Sequence, residues 1–351
     1  MSIYWLLFFS SSILALLETS ILKNLYVKIT VIFSFIIIIG LRHEIGGDWN
    51  NYLETFNKIK FNYILYYNFR GDVGYNIIEL ISNKLNLGIY GVNIICALIV
   101  LFSINLICTI TREYWFNFIF FIPYFLFIVS MGYTRQSVAI AFSIIGLYYL
   151  LNGNNKYFQN YLYYGFYIFL ALLFHKSSII MLLFIIPFIN VYFIFLGIII
   201  LILTFNILTG FFSSEISRVI EQYININYTS NGIILRNVLL MPSIIIYFLS
   251  LIYVNYTKNE NKIFSIYAVL VLLFILISLY SPLAIIDRFA LYFTPITSLI
   301  YVRFLKVFND NYLEKLIYKI FFVIFLMLQL FIWLNYSVHK SYWVPYKNIL
   351  F

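Results

Sequence analysis

Val31-Ile32-Phe33-Ser34-Phe35-Ile36-Ile37-Ile38-Ile39-Gly40 carries no charge and is followed at once by Leu41-Arg42-His43-Glu44-Ile45-Gly46-Gly47-Asp48-Trp49-Asn50-Asn51-Tyr52. The first stretch is continuously apolar rather than alternating, so in hydrocarbon it satisfies its backbone groups as a helix and not as a strand of an outer-membrane barrel. The second crowds cations, carboxylates and amides against the end of that helix. Ionisable groups at the lip of a bilayer are costly, so they either anchor the helix at the interface or serve a site. Gly46-Gly47 turns the chain between them.

The rest of the chain repeats the first half of that pattern. Hydrophobic residues make up 64% and charged residues 10% of the 351, and only 6 are proline. No soluble core hides that much apolar surface, so the expected class is an all-α polytopic integral membrane protein forming one membrane domain over 1–351. The 38 Phe and 33 Tyr supply packing bulk within the bilayer and amphipathic rings at its edges. Ile3 to Leu17 has no positive lead-in and no small-residue cleavage site, and Glu18 follows it, which predicts a retained membrane helix and not a signal peptide. Cys96 and Cys108 fall in one expected helix, roughly 18 Å apart by helical rise, too far to bridge within it.

About twelve transmembrane or re-entrant helices are expected, near 3–17, 29–41, 88–110, 114–130, 137–151, 161–174, 178–189, 191–208, 238–256, 263–280, 290–302 and 317–336. The apolar stretch 177–208 divides at Pro187-Phe188-Ile189-Asn190, where a proline and a polar amide interrupt it. With that division the connections alternate, and ten of the 22 Lys and Arg (Lys23, Lys28, Arg112, Lys156, Lys258, Lys262, Arg303, Lys306, Lys315 and Lys319) fall in short segments on one side, expected to be cytoplasmic. The net charge of +9 therefore reflects topology; the basic residues form no stripe that would fit nucleic acid.

The same alternation sends the unusual polar groups to the opposite, outer face: Arg42, Asp48, Arg135, His175, Asp287 and Arg288. Two outer loops, 42–87 and 209–237, are longer than hairpin connections need. In the first, Trp49, Tyr52, Leu53, Phe56 and Ile59 recur at helical spacing with Asn50, Asn51, Glu54, Asn57 and Lys58 opposite. A second amphipathic helix is expected from Val73 to Leu85, with Asn76, Glu79 and Lys84 on its polar side and Gly71-Asp72-Val73-Gly74 as the loop before it.

Taken in order, Arg42 with Gly47-Asp48 and Tyr52, then Gly74-Tyr75, Tyr133-Thr134-Arg135-Gln136-Ser137-Val138-Ala139, Phe174-His175-Lys176-Ser177-Ser178, Arg288 followed by Tyr292, and Val344-Pro345-Tyr346-Lys347 resemble the EpsG-type, or Wzy-like, polysaccharide polymerase family. The resemblance spans nearly the whole chain. It implies a bacterial inner-membrane, multi-pass glycosyltransferase whose active site faces the periplasm, and a helical architecture like that of other membrane-embedded lipid-carrier glycosyltransferases. The implied reaction moves a growing glycan from undecaprenyl diphosphate onto an acceptor sugar hydroxyl of a new lipid-linked repeat unit, in O-antigen or capsule synthesis. Implied partners are undecaprenyl-diphosphate-linked oligosaccharides, the lipid bilayer and a chain-length regulator.

The residue types suit that chemistry independently. Cleaving a sugar–diphosphate bond needs cations that hold the leaving oxygens as charge builds on them, and guanidinium forks do this bidentately. Arg42, Arg135 and Arg288 are the candidates, each of which also fits a helix-end anchor. His175 is the candidate general base, although a lone histidine at a helix end also fits a dipole partner. Asp48 and Asp287 are placed to orient His175, to replace it, or to pair an arginine. Tyr52, Gln136 and Tyr292, within the matching motifs, are expected to contact diphosphate or glycan. The sequence has no Asp-x-Asp pair, no metal-ligand spacing and no nucleotide fingerprint, so neither a metal nor a cofactor is expected. A lipid-linked oligosaccharide flippase and an O-antigen ligase would use similar cations, and they stand as the rival readings.

Overall fold

In hydrocarbon, a backbone N–H or C=O without a partner costs several kcal/mol, so the apolar runs close their hydrogen bonds locally as helices. The computed structural model describes residues 1–58, 72–152, 158–189, 232–281, 283–308 and 311–350. Among them there are helices, turns and an isolated bridge, but no strand.

The chain starts with α1 (Ser2–Leu17) and α2 (Leu25–Gly40), followed by the short helices α3 (Trp49–Lys58) and α4 (Val73–Lys84). Next come α5 (Gly88–Thr109), then α6 (Tyr114–Ile119) with its π-helical continuation Ile122–Val129, and α7 (Thr134–Asn152). After α8 (Phe158–Phe174) a 3₁₀ stretch runs over Lys176–Phe188. The last third holds α9 (Ile233–Ser250), α10 (Lys258–Tyr280), α11 (Ala284–Phe308) and α12 (Tyr312–Tyr336). Six of these, α5, α7, α9, α10, α11 and α12, are long and apolar enough to cross a membrane, and several shorter apolar helices accompany them. The architecture is that of a polytopic membrane protein.

Lipid-facing and core-facing stripes are plain on α12. Ile317, Phe321, Ile324, Leu328 and Ile332 are exposed, while Phe322, Leu326, Leu330 and Leu334 are buried, each set at helical spacing. Both stripes are apolar because both neighbours, lipid and protein, are apolar. α7 is the most enclosed span at 78% buried, against 22% for α12, which places α7 at the centre and α12 at the rim.

Charge closes one end of the bundle. Lys319 Nζ sits 2.6 Å from Glu113 Oε2 and donates to the Ala15 carbonyl at 3.2 Å. The Glu18 carboxylate accepts the backbone N–H groups of Trp115 and Phe116, and Lys23 donates to the Arg112 carbonyl. α1, α6 and α12 are stapled there. Lys23, Arg112 and Lys319, assigned to one side by loop alternation, thus meet in space.

Several boundaries differ from the hydropathy reading. The span expected at 238–256 is Ile233–Ser250, that at 290–302 is Ala284–Phe308, and that at 317–336 begins at Tyr312. The last residues of the expected loop 209–237 are therefore helical. Hydropathy cut the first two of these helices short at Arg236 and Asp287, but those two charges pair with each other across the helices, so both helices continue through them. The expected helix 191–208 and loop residues 209–231 lie outside the described residues. The 3₁₀ stretch ends at Phe188 directly after Pro187, and Ile189 is extended, in keeping with the expected break.

Candidate active site

Two straps fix the charged stretch after α2. From the C-terminal segment, Ile349 N–H donates to the Leu41 carbonyl at 3.1 Å, and Lys347 and Tyr342 carbonyls accept the N–H groups of His43 and Gly46 at 3.0 Å each. Farther along, Trp343 Nε1–H donates to the Phe127 carbonyl at 2.8 Å, and Tyr4 Oη–H donates to the Trp343 carbonyl at 3.0 Å. Phe127 lies in the π-helical turn, where bonds reach one residue further back than in an α-helix; such turns recur at functional sites. Gly46 has φ +103°, and a Cβ there would lie 2.3 Å from the Met131 carbonyl oxygen. Only glycine lets this loop pass so close to the end of the π-helical segment.

Arg42 is 1% exposed. Its two terminal nitrogens donate to the Ile39 carbonyl at 2.6 Å and to Thr134 Oγ1 at 2.9 Å. The expected diphosphate contact is thus enclosed, and its guanidinium joins the end of α2 to the first residue of α7.

Arg135, one residue on, occupies the first turn of α7. Its Nη1 lies 3.3 Å from Asp72 Oδ2, and its guanidinium carbon lies 5.2 Å from the ring centres of both Tyr52 and Tyr75. α3 and α4 form as expected and deliver those two rings. One face of α4 is inverted relative to the sequence reading: Glu79 is 1% exposed, whereas Ile77 and Ile81 are exposed. Thr55 and the charge of Arg135 give the carboxylate partners on the inner side, so it turns inward. Glu79 accepts a hydrogen bond from Thr55 Oγ1 at 3.3 Å, and burial pushes its carboxyl up to about 7 against the opposing pull of Arg135.

His175 follows α8 in an extended conformation and caps the 3₁₀ stretch, its Nδ1 accepting the Ser177 N–H at 3.2 Å. Ser177 Oγ also lies against Nδ1, and Tyr292 Oη is 3.1 Å from it. With Nδ1 as acceptor, the neutral ring carries its proton on Nε2. Burial first, then the charges of Arg288 and Arg135, push the imidazole down to about 4. Gly74 brings α4 onto this corner, since a Cβ there would lie 2.5 Å from the Phe174 ring.

Gln136 Nε2–H donates to the Arg288 carbonyl at 2.8 Å, pinning α11 to α7. Asp287 is gripped by both Nε and Nη2 of Arg236 at 2.7 Å, so the pairing role is the one it fills here. Asp48 is flanked by Asn51, and burial raises its carboxyl above the ordinary value while Asn51, Arg135 and Arg288 pull it down. The Tyr133 phenol senses Asp48, Asp287, Arg236 and Arg288 together. All nine candidates thus belong to one region, with Arg135 and Arg288 each in electrostatic reach of His175 and of Asp48, and with Arg42, Gln136 and Tyr292 built into its walls.

Asp72, Glu79, Ser177 and Arg236 complete the region without having been singled out from sequence. Asp72 stood in a stretch read as a loop, and Glu79 at a position that pattern assigns to solvent. Ser177 was visible only as part of the His-Lys-Ser-Ser motif, and Arg236 carried no signal at all.

A helical membrane scaffold with arginines, carboxylates and an imidazole clustered together defines a polytopic membrane protein with a charged site. Within that class the EpsG family model matches residues 25–348, nearly the whole chain, and the protein belongs to the EpsG family, a Wzy-like polymerase type. No curated protein and no solved structure matches the chain. Membership indicates a polysaccharide polymerase type of function.

Proposed function

We propose that the protein lengthens a polysaccharide by transferring a growing glycan from undecaprenyl diphosphate to an acceptor hydroxyl of a new lipid-linked repeat unit, at the periplasmic face of the inner membrane. The observation that carries the reading is the placing of Arg135 and Arg288 within electrostatic reach of both His175 and Asp48. In the transfer, the bond between the anomeric carbon and the diphosphate oxygen breaks, and the diphosphate leaves with the electron pair. The acceptor oxygen forms the new glycosidic bond and gives up its proton.

Arg135 and Arg288 hold the departing diphosphate, where charge accumulates in the transition state. Asp48 takes the acceptor proton, its affinity raised by burial. The base role expected for His175 passes to Asp48, because the ring is neutral with its hydrogen on Nε2 and therefore donates, either to a phosphate oxygen or to the glycan. Tyr52 and Tyr75, both buried, hold the Arg135 guanidinium against their rings and so fix where its charge is presented. Arg42, Gln136 and Tyr292 act by positioning.

Deleting the gene in a strain that makes a polymer ladder tests the reading. Loss of a polymerase leaves single repeat units attached to their acceptor. Loss of a flippase or of a ligase leaves the acceptor bare, and that result would overturn the proposal.

A further inference from the structure

A cavity of about 120 Å³ opens between α9, α11 and α12 and the end of α6. Its wall on α11 runs from Asp287 to Tyr301, about four turns or roughly 20 Å of helix. The Arg236–Asp287 pair stands at one end, and Tyr301, stacked on Phe120 at 5.1 Å, closes the other. We propose that this cavity receives the head-proximal isoprene unit of the polyprenyl carrier, an inference that rests on the polymerase reading and locates its lipid.

The lining is less polar than its composition. Thr294, Thr297 and Ser298 turn their hydroxyls onto the Leu291, Phe293 and Pro295 carbonyls of their own helix, at 3.0, 3.0 and 2.9 Å. With those hydroxyls satisfied, the wall between the Arg236–Asp287 pair and Tyr301 is mainly apolar, beside Leu240, Leu291 and Leu326, with Gln329 as a remaining amide. The volume suits the ligand, since an apolar cavity of about 150 Å³ accommodates benzene and a five-carbon branched unit is of similar size.

Charge sets the direction of the occupant. Asp287, paired with Arg236 at the cavity mouth, is followed in the chain by Arg288, which Gln136 pins to α7 beside Arg135, so the mouth adjoins the cations that hold the diphosphate. A ligand whose anionic head lies on Arg288 and Arg135 would send its first hydrocarbon unit past Arg236 and into the cavity. An amphiphile with a diphosphate joined directly to an isoprene has that shape. A phospholipid places a glycerol ester between phosphate and hydrocarbon, which fits a short passage less well.

The test uses the full-length protein in vesicles with undecaprenyl phosphate bearing a photoreactive diazirine on its head-proximal isoprene. Adducts should map to peptides containing Leu240 and residues 290–298, and unlabelled undecaprenyl phosphate should compete for them where phosphatidylglycerol does not. Leu240→Trp, which fills the cavity, should lower labelling at least tenfold, whereas Thr294→Val should leave it intact. Adducts elsewhere, or equal competition by phosphatidylglycerol, would overturn the proposal; the second outcome would make the cavity a bilayer acyl-chain site. Should Leu240→Trp fail to accumulate, the wild-type adduct map still decides. Labelling reads binding alone, so specific adducts from a protein whose deletion leaves polymer length unchanged would sink the polymerase reading and keep the lipid site.

Discussion

Arg135 and Asp72 form an ion pair at 3.3 Å between two ring faces, Tyr52 and Tyr75, whose centres are each 5.2 Å from the guanidinium carbon. The pair joins the first turn of α7 to the start of α4, which are far apart in sequence. A planar guanidinium fits such a slot; an ammonium on a flexible stem does not.

Arg135→Ala should therefore lower the rate of chain extension by about 10²- to 10³-fold, and Arg135→Lys by at least about tenfold. Tyr52→Leu, which removes one ring face, should have a smaller effect. Ladder length and turnover at matched membrane abundance measure all three. A lysine variant with full-length polymer would remove the case for a bidentate contact.

His175 gives a pH prediction with a definite sign. Its folded-state value is about 4 against an ordinary 6.5, so the ring stays neutral as the pH falls through 6 and 5. Its share of activity should be flat from pH 8 to about 5 and fall only towards 4. In the same window an unfolded chain takes up the proton first, so stability drops as the pH is lowered from about 6.5 to 4. Replacing Arg288, one of the charges that depress the ring, should move that limb upwards; a limb fixed near 6.5 in both proteins would show that His175 does not stay neutral.

If His175 donates through Nε2, a side chain that also donates should serve in part. His175→Gln should keep activity within roughly tenfold of wild type, while His175→Ala should lose about 10²-fold or more. Equal loss in the two variants would return the base role to the histidine.

Asp48→Asn keeps the side chain's shape but cannot take a proton. Turnover should fall by about 10²- to 10⁴-fold with carrier binding near wild type. A drop in binding affinity that matches the drop in turnover would show that Asp48 orders the loop and does not accept the proton.

The C-terminal segment offers a test away from the chemistry. Trp343→Phe leaves the Phe127 carbonyl, which is buried, without its indole donor, a cost of about 1–3 kcal/mol. Ending the chain at Ser337 removes the carbonyls that accept from His43 and Gly46. Amide exchange at those two residues should accelerate in the truncated protein, and polymer formation should fail although α1 to α12 still insert. Unchanged protection at His43 and Gly46 would mean that the loop holds its shape without the strap.

Composition and the uninterrupted apolar runs determined the class, because only helices satisfy the backbone in lipid and the sequence shows where hydrocarbon is continuous. α3 and α4 were legible for the same reason of spacing, and ordered motifs around Arg42, Arg135, His175 and Arg288 were enough to mark the family. The partners of those residues were decided by tertiary structure alone. Hydropathy treats a charge as the end of a helix, whereas Arg236 and Asp287 neutralise each other across two helices and let both continue. It also assigns a charged residue to solvent, whereas Thr55 and the charge of Arg135 draw Glu79 to the inner side of α4. Burial decided the role of Arg42, whose guanidinium braces α2 against α7, and the Ser177 N–H decided which nitrogen of His175 carries the hydrogen. Such outcomes depend on which surfaces meet, and that is set by contacts between residues separated along the chain by tens to hundreds of positions.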